Sequence, residues 1–405
     1  MSEKQKISLQ VAELFAGVGG FRLGLESAGH KTVWANQWEP KIKVQHAYEC
    51  YRSHFGDIRD LNTDIYKVDK KSIPDHNLLV GGFPCQDYSV ATTRAKGMKG
   101  VKGVLWWSIR DTILEKRPDY ILLENVDRLL KSPVKQRGRD FGIILSCLFA
   151  LDYSVEWRVI NAAEYGFPQK RRRVFIFGCK KGTDWYNSFS NNISDYSFLA
   201  KKSFFSKEFP VENERELSLY GNIPNREIST DIQSTNDNFS YSFSNSGVMH
   251  NGEMWSKKLI PVTIEPATLR SVLIKDADES FYISKESIPK WEYLKDSKKE
   301  ERTRKDGTKF FYIEGAIPYP DNLDTPSRTI ITSEGGLTPS RFKHLIQDPW
   351  TKKLRVLTPE EVEKLNGFPS GWTEGMPINW RYFCMGNALV VGIIEKMGRI
   401  LGMMA

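Results

Sequence analysis

The chain has 405 residues, long for one core and suited to one large domain plus a smaller one. Its 58 lysines and arginines outnumber 50 acidic residues, a net charge of +8 that suits a polyanionic partner. No apolar run approaches bilayer length and residues 1–10 lack the apolar stretch of a signal peptide, so a membrane role is excluded and a cytoplasmic location expected.

In chain order, residues 9–15 read as a strand that ends in a glycine-rich turn, Phe15-Ala16-Gly17-Val18-Gly19-Gly20. Residues 21–28 have helical spacing, and 32–35 form a second strand. Residues 78–80 precede another Gly-Gly turn, 105–116 are helical, and 120–123 form an apolar strand ending in Glu124. Residues 141–151 read as a helix and 173–178 as a further strand. Strands alternating with helices predict an α/β fold with a doubly wound, mostly parallel Rossmann-like sheet. Ligands in such folds gather at the carboxyl ends of the strands.

The texture changes near residue 183. Serine, asparagine and aromatic residues dominate 184–246, and charge and proline enrich 252–343. The expected organisation is a catalytic domain over 1–183 and a smaller strand-and-loop domain over 184–345. A C-terminal segment, 346–405, is then expected to return to the first domain. Within that segment Thr358-Pro359-Glu360-Glu361 is a helix start. Residues 386–401 read as one helix whose internal glycines require close packing.

Five cysteines, at 50, 85, 147, 179 and 384, have neither zinc-site spacing nor the even count of a disulfide framework, so reduced thiols and no metal are expected. A cysteine is by default a small buried hydrophobe. Cys85 differs, because it follows Pro84 in a loop just past a strand. Glu124 ends a strand as apolar as Ile-Leu-Leu, where a carboxylate is placed for chemistry more often than for packing. In Gln169-Lys170-Arg171-Arg172-Arg173, strand alternation is expected to put Arg171 and Arg173 on one face.

The glycine turn suits backbone approach to a ligand, to a dinucleotide or S-adenosylmethionine, or merely a tight turn. Gln37 and Trp38 at the end of the second strand offer a ribose partner and an adenine platform, and Asp64 an acceptor for the adenine amino group. A thiol, a carboxylate and arginines together suit attack on a pyrimidine. A thiolate adding at cytosine carbon 6 turns carbon 5 into a nucleophile, a carboxyl at ring nitrogen 3 stabilises the adduct, and arginine holds the exocyclic oxygen. A stacked base is out of reach and must be flipped.

These residues lie in strings that resemble the bacterial C5-cytosine-specific DNA methyltransferases of restriction–modification systems. ELFAGVGGFRLGLESAG (13–29), GGFPCQDYS (81–89), ENV (124–126), QKRRRV (169–174), RVLTPEEVEKLNGFP (355–369) and GNALVVGI (386–393) occur in the family's order. The resemblance implies a Rossmann-like methyltransferase domain, S-adenosylmethionine as methyl donor with S-adenosylhomocysteine as product, and double-stranded DNA as substrate. It further implies a monomer with a cognate restriction endonuclease as functional partner. Cys85 would be the nucleophile, Pro84 its shaping neighbour, Glu124 the contact to ring nitrogen 3, and Arg171 and Arg173 the cytosine holders. Phe15, Gly17, Gly19, Gly20, Gln37, Trp38, Asp64, Leu105 and Asn387 would line the cofactor pocket. Gln86, Ser89, Arg94, Lys96, Lys99 and Lys102 would meet DNA from a closing loop.

One position departs from the family. Gln37 stands where a glutamate usually accepts from both ribose hydroxyls, and Glu39, on the same side of the chain, is the candidate to compensate. The segment 184–345 matches no motif, as expected of a target-recognition domain, with Arg270, Arg302, Arg304, Arg328 and Arg341 as candidate base or phosphate contacts. The alternatives are a tRNA C5-cytosine methyltransferase sharing the catalytic loop and a catalytically silent DNA-binding protein on the same scaffold.

Overall fold

The computed structural model describes residues 7–40, 42–83, 105–189, 197–212, 226–304 and 306–403. The chain divides into two compact units. The first comprises Met1–Tyr165, Arg172–Ile264 and Val391–Ala405, and the second Gly166–Arg171 and Glu265–Val390.

The first unit is an α/β sandwich on one sheet. Its strands are β1 (Gln10–Leu14), β2 (Lys31–Asn36), β3 (Leu78–Gly82), β4 (Tyr120–Asn125), β5 (Tyr153–Asn161), β6 (Arg172–Lys180), β7 (Arg226–Glu227), β8 (Ser246–His250) and β9 (Glu253–Lys257). They lie in the order β2-β1-β3-β4-β6-β5-β8-β9-β7. The first four are mutually parallel. From β4 onward every pairing is antiparallel, so β6, β8 and β7 run against the other six described strands. The helices are α1 (Gly20–Ser27), α2 (His46–Phe55), α3 (Trp106–Lys116) and α4 (Arg139–Ala150). A continuous apolar core runs from Leu14, Leu79 and Leu123 through Trp106 and Phe141 to Trp157. The central strands are buried on both faces, which is why they read as unbroken apolar runs rather than alternating ones.

The domain boundaries differ from those expected. Residues 184–264 join the first unit, because β8 pairs with β5 and extends the sheet. Their aromatics also cover it: Phe204 stacks on Phe177 with centroids 3.9 Å apart. On the same side Arg158, buried within β5, donates to the carbonyls of Phe209 (3.0 Å) and Leu199 (2.6 Å). The C-terminal return is shorter than expected. Residues 386–401 are not one helix: Ile378–Asn387 and Val391–Gly402 are separate, and only the latter belongs to the first unit. It packs on α1 through two glycines. A Cβ at Gly24 would stand 2.8 Å from Ile394 Cβ, and one at Gly398 would stand 2.6 Å from Ala28 Cβ.

The second unit is strand-poor and rests on buried polar ties. Arg355, fully buried, donates to Asp348 (2.8 Å) and to both oxygens of Glu361 (2.8 and 2.7 Å). Glu361 also closes a capping box with Thr358 at the start of the helix Pro359–Leu365, as the Thr-Pro-Glu-Glu string predicts. A small apolar cluster of Trp291, Leu345 and Val356 lies in the same unit. Among the described residues no helix is long and apolar enough to cross a membrane, and no cluster of His, Cys, Asp or Glu could hold a metal ion. Cys50, Cys147, Cys179 and Cys384 are buried and form no disulfide.

Removing one member of a buried ion cluster strands the others. Arg355→Ala is expected to lower unfolding stability by about 3–5 kcal/mol, read as a lowered denaturant midpoint. A midpoint equal to the parent's would mean that this cluster does not hold the unit.

Candidate active site

The glycine turn leaves β1 through backbone that few side chains tolerate. Phe15, Gly17 and Gly19 have φ of +56°, +56° and +89°, all in the left-handed region. For Phe15 this costs on the order of 1–3 kcal/mol. Tertiary contacts hold the turn in place: the Ala16 N–H donates to Asn36 O at 3.0 Å, and the Gly17 N–H to Gln37 Oε1 at 2.8 Å. A Cβ on Gly17 would meet nothing within 4 Å, so the turn faces open space, room that a bound nucleoside would fill. A Cβ on Gly19 would collide with the Phe55 ring.

The Gln37 carboxamide is engaged on both ends. Its oxygen accepts from Gly17, its nitrogen donates to Glu39 Oε1 at 3.4 Å, and the side chain is buried. Glu39 is half-buried beside it, and burial raises its carboxyl above the usual carboxylate range. Trp38 between them is also half-buried. Asn36 donates to the carbonyls of Asp60 and Thr63, tying the end of β2 to the loop that carries Asp64. Asp64 Oδ1 accepts from the Tyr66 N–H at 3.1 Å. Leu105 precedes α3 and packs against the core.

Behind the turn lies a group that sequence reading did not single out. Glu13, fully buried in β1, accepts from Tyr51 at 3.1 Å, and Tyr51 accepts from Arg22 at 3.4 Å. Burial pushes the Glu13 carboxyl up to about 8, against the lowering pull of Tyr51 and Arg22. Its position inside an apolar strand was the available signal, the same one that marks Glu124.

At the carboxyl ends of β3 and β4 the catalytic strings meet. Gly82 pairs with Glu124, and a Cβ there would stand 3.1 Å from Glu124 Oε2, so glycine leaves the carboxylate its room. Phe83 donates through its N–H to Glu124 O (3.4 Å), and its carbonyl accepts from Asn125 Nδ2 (2.7 Å). Asn125 therefore clamps the backbone two residues before Cys85 in the sequence. Pro84, Cys85, Gln86, Ser89, Arg94, Lys96, Lys99 and Lys102 lie outside the described residues.

β6 starts at this same edge because it runs against β4. The Arg173 Nε stands 2.7 Å from Glu124 Oε1, with both side chains largely shielded. Arg172 turns to the opposite side, is exposed and meets Asp127 at 3.3 Å. The expected pairing of Arg171 with Arg173 is not what the structure has. β6 begins at Arg172, so strand alternation does not extend to Arg171. Its buried guanidinium instead donates to the carbonyls of Gly386 (2.8 Å) and Ile330 (3.5 Å) in the second unit. Gln169, equally buried, donates to Asn366 Oδ1 (2.8 Å) and accepts from the Ile330 N–H. Asn366 donates to Met385 O. Three of the quoted strings are thus knitted together by side-chain hydrogen bonds. Gly386 is small because a Cβ there would sit 2.5 Å from the Thr332 backbone, and Asn387 beside it is exposed.

A family model described as C-5 cytosine-specific DNA methylase matches residues 9–402. The chain belongs to this family. It is accordingly a DNA cytosine methyltransferase, and the family implies S-adenosylmethionine as methyl donor. Among curated proteins it is 46% identical to Type II methyltransferase M.Sau3AI of Staphylococcus aureus over 397 residues, 96% of this chain and 94% of that protein. It is 34% identical to Type II methyltransferase M.HhaI of Haemophilus parahaemolyticus over 204 residues, 50% of this chain and 56% of that one. Among solved structures, the S. pombe Dnmt2 methyltransferase has a TM-score of 0.59 at 15% identity, and Entamoeba histolytica EhMeth 0.56 at 16%, each covering 98% of both chains. These structural likenesses show the shared fold.

Glu13 yields a prediction in pH. Its folded pKa lies above its ordinary 4.5, so its contribution is intact below 4.5 and is lost as pH rises to about 8, where the buried carboxyl must ionise. Glu13→Gln is expected to match the parent's thermal midpoint near pH 5 and to exceed it above pH 8. A difference that does not change across this window would mean Glu13 is not held protonated.

Proposed function

We propose that this enzyme flips a target cytosine out of duplex DNA, adds the Cys85 thiolate to carbon 6 and accepts a methyl group at carbon 5, marking DNA against a cognate restriction endonuclease. The observation that carries the reading is the Glu124–Arg173 pair, set beside the Phe83 stem from which Cys85 is two residues away. Cytosine presents an oxygen acceptor, a ring-nitrogen acceptor and an amino donor along one edge. Arg173 donates to the exocyclic oxygen. The Glu124 carboxyl, once protonated, donates to ring nitrogen 3 and accepts from the amino group. That edge draws electron density away from carbon 6, where the thiolate bonds.

S-adenosylmethionine, when bound, supplies an electrophilic methyl on a sulfonium. Carbon 5 would take that methyl as its bond to the sulfonium sulfur breaks, releasing S-adenosylhomocysteine; loss of the carbon 5 proton to a base then returns the electron pair that expels the Cys85 thiolate. Arg171 does not hold the base in this scheme. It is a positioning residue that ties the QKR string to the backbone at Ile330 and Gly386. The stretch of sequence with Gln86, Ser89, Arg94, Lys96, Lys99 and Lys102 supplies polar and cationic groups for phosphates.

For the cofactor, the turn at Gly17, the Trp38 ring and Asp64 line the adenosine side, with Leu105 the apolar wall of the pocket. The ribose acceptor is the Glu39 carboxylate, because Gln37 already spends its oxygen on Gly17. Glu39→Gln is expected to weaken S-adenosylmethionine binding by about 10- to 100-fold, the size of one or two hydrogen bonds to a charged group, while Gln37→Glu does not. Calorimetric titration checks this, and unchanged affinity for Glu39→Gln sinks the assignment.

The chemistry is tested by methylating a random-sequence duplex and mapping protected cytosines by bisulfite conversion. Cytosine methylation above background is expected, lost by at least about 10³-fold in Cys85→Ala. A duplex carrying 5-fluorocytosine at the target is expected to trap a denaturation-resistant adduct, since fluorine cannot leave as the proton does. Absence of both signals would overturn the mechanism.

A further inference from the structure

The second unit carries a two-stranded ribbon, β10 (Lys298–Thr303) and β11 (Lys309–Glu314), whose strands pair only with each other among the described residues. We propose that this ribbon enters the major groove of duplex DNA and that Arg304, at its turn, reads a guanine of the methylation site. The proposal rests on the reading of the chain as a DNA methyltransferase and adds the element and side chain that select the sequence.

The antiparallel register sorts the ribbon into two faces. Lys298, Glu300, Phe310, Tyr312 and Glu314 share the half-buried face with Arg302, which lies 3.6 Å from the Tyr312 ring centroid and pairs with Glu300 at 2.9 Å. Lys299, Glu301, Thr303, Lys309, Phe311 and Ile313 form the other face, which is exposed throughout. Phe311 is 57% and Ile313 69% exposed, two large apolar side chains adjacent on a strand that nothing described covers. Lys299 sits 4.7 Å from the Phe311 ring, so apolar and cationic surface alternate on that face.

Arg341 fastens the root of the ribbon. Its guanidinium donates to Leu294 O (2.9 Å) and Asp296 O (3.1 Å) where the chain enters, and to Gly315 O where it leaves. It also meets Glu314 at 3.4 Å. The ribbon is held at its base and bare at its tip.

The tip is strongly basic. Between residues 302 and 309 stand Arg302, Arg304, Lys305 and Lys309 against the single acid Asp306. Asp306 accepts from the Thr308 N–H at 3.0 Å within the turn, and Gly307 takes the left-handed conformation (φ +85°) that the turn requires. Arg304 closes the turn through its backbone, and its side chain is exposed, 5.0 Å from the Phe310 ring.

The other arginines of this region are committed. Arg270 makes a two-bond fork with Asp324 (2.7 and 3.0 Å). Arg328 pairs with buried Asp321 and the carbonyls of Phe342 and Lys343. Arg341 clamps the root and Arg302 is held by Glu300. Of the five, Arg304 alone has no carboxylate partner among the described residues.

A β-ribbon has the width of a B-DNA major groove, and a guanidinium fork matches the two acceptors that only guanine offers there. Phe311 and Ile313 suit thymine methyl groups on the adjoining pairs. Lys299 and Arg304 complement the phosphates that line the groove.

The test uses the full-length enzyme and three variants, Arg304→Ala, Arg304→Lys and Phe311→Ser/Ile313→Ser. Each is measured for methylation of a random-sequence duplex, for binding to the parent's preferred duplex across salt, and for S-adenosylmethionine affinity and thermal midpoint. Arg304→Ala is expected to lower kcat/KM on the preferred site by roughly 10- to 100-fold and to erase the preference for guanine at one position. Arg304→Lys is expected to recover binding but not that preference, because a point charge lacks the fork. Phe311→Ser/Ile313→Ser is expected to weaken binding to the preferred duplex. Cofactor affinity and thermal midpoint stay at parental values in all three.

A uniform loss across sequences, with the salt slope reduced by about one, would make Arg304 a phosphate contact and overturn base reading. Parental behaviour in every variant would overturn the ribbon as the DNA element. The duplex titration judges the ribbon even if the parent methylates no cytosine, an outcome that would instead sink the functional reading.

Discussion

Arg173 reaches Glu124 because β6 runs antiparallel to β4. The carboxyl end of a strand and the amino end of its neighbour share an edge only when the two run in opposite directions. In an all-parallel sheet the arginine that opens β6 would lie a full strand length from the carboxylate that closes β4, some 20 Å at about 3.3 Å per residue. Asn125 and Phe83 reach that edge by the opposite route, because β3 and β4 are parallel and end together. Two of the quoted strings, separated by roughly 50 residues of sequence, and the stem of a third meet through strand direction.

The other half of the site obeys a different constraint. The glycine turn is not comfortable backbone, since Phe15 holds a left-handed conformation, and it is kept in place by bonds from Ala16 and Gly17 to the end of β2. The side chain that closes this turn is Gln37, which therefore has less to offer a ligand than its position suggests. A neutral amide suits this task better than a carboxylate would here, because its nitrogen can also face Glu39 without repulsion. The departure at Gln37 and the presence of Glu39 are two aspects of one arrangement.

The second unit shows how a strand-poor segment is stabilised. Buried polar ties help to hold it: Arg355 among Asp348 and Glu361, Arg328 with Asp321, Gln169 with Asn366, and Arg171 with the Gly386 carbonyl. Buried polar networks of this kind favour one geometry, because each unmade bond leaves a buried group without a partner. With its root fixed in this way, the ribbon of β10 and β11 can leave its apolar and cationic side chains uncovered.

The amino-acid sequence by itself determined the α/β class, the strands β1 to β4, the helix start at Thr358 and the strings that carry the family resemblance. These depend on local spacing and on residue type, which need no partner to be read. It did not disclose β5, whose buried Glu156 and Arg158 break the apolar pattern, pair with each other, and also bond to residues some 40 to 50 positions later. Nor did it separate Arg171 from Arg173, since the two differ by whether the strand has begun, a matter of pairing with β5 and β4. The assignment of 184–264 to the sheet unit, the break before Val391 and the sorting of five arginines into four anchors and one uncommitted tip were tertiary decisions. Each turns on which distant group arrives to pair, stack or accept a hydrogen bond.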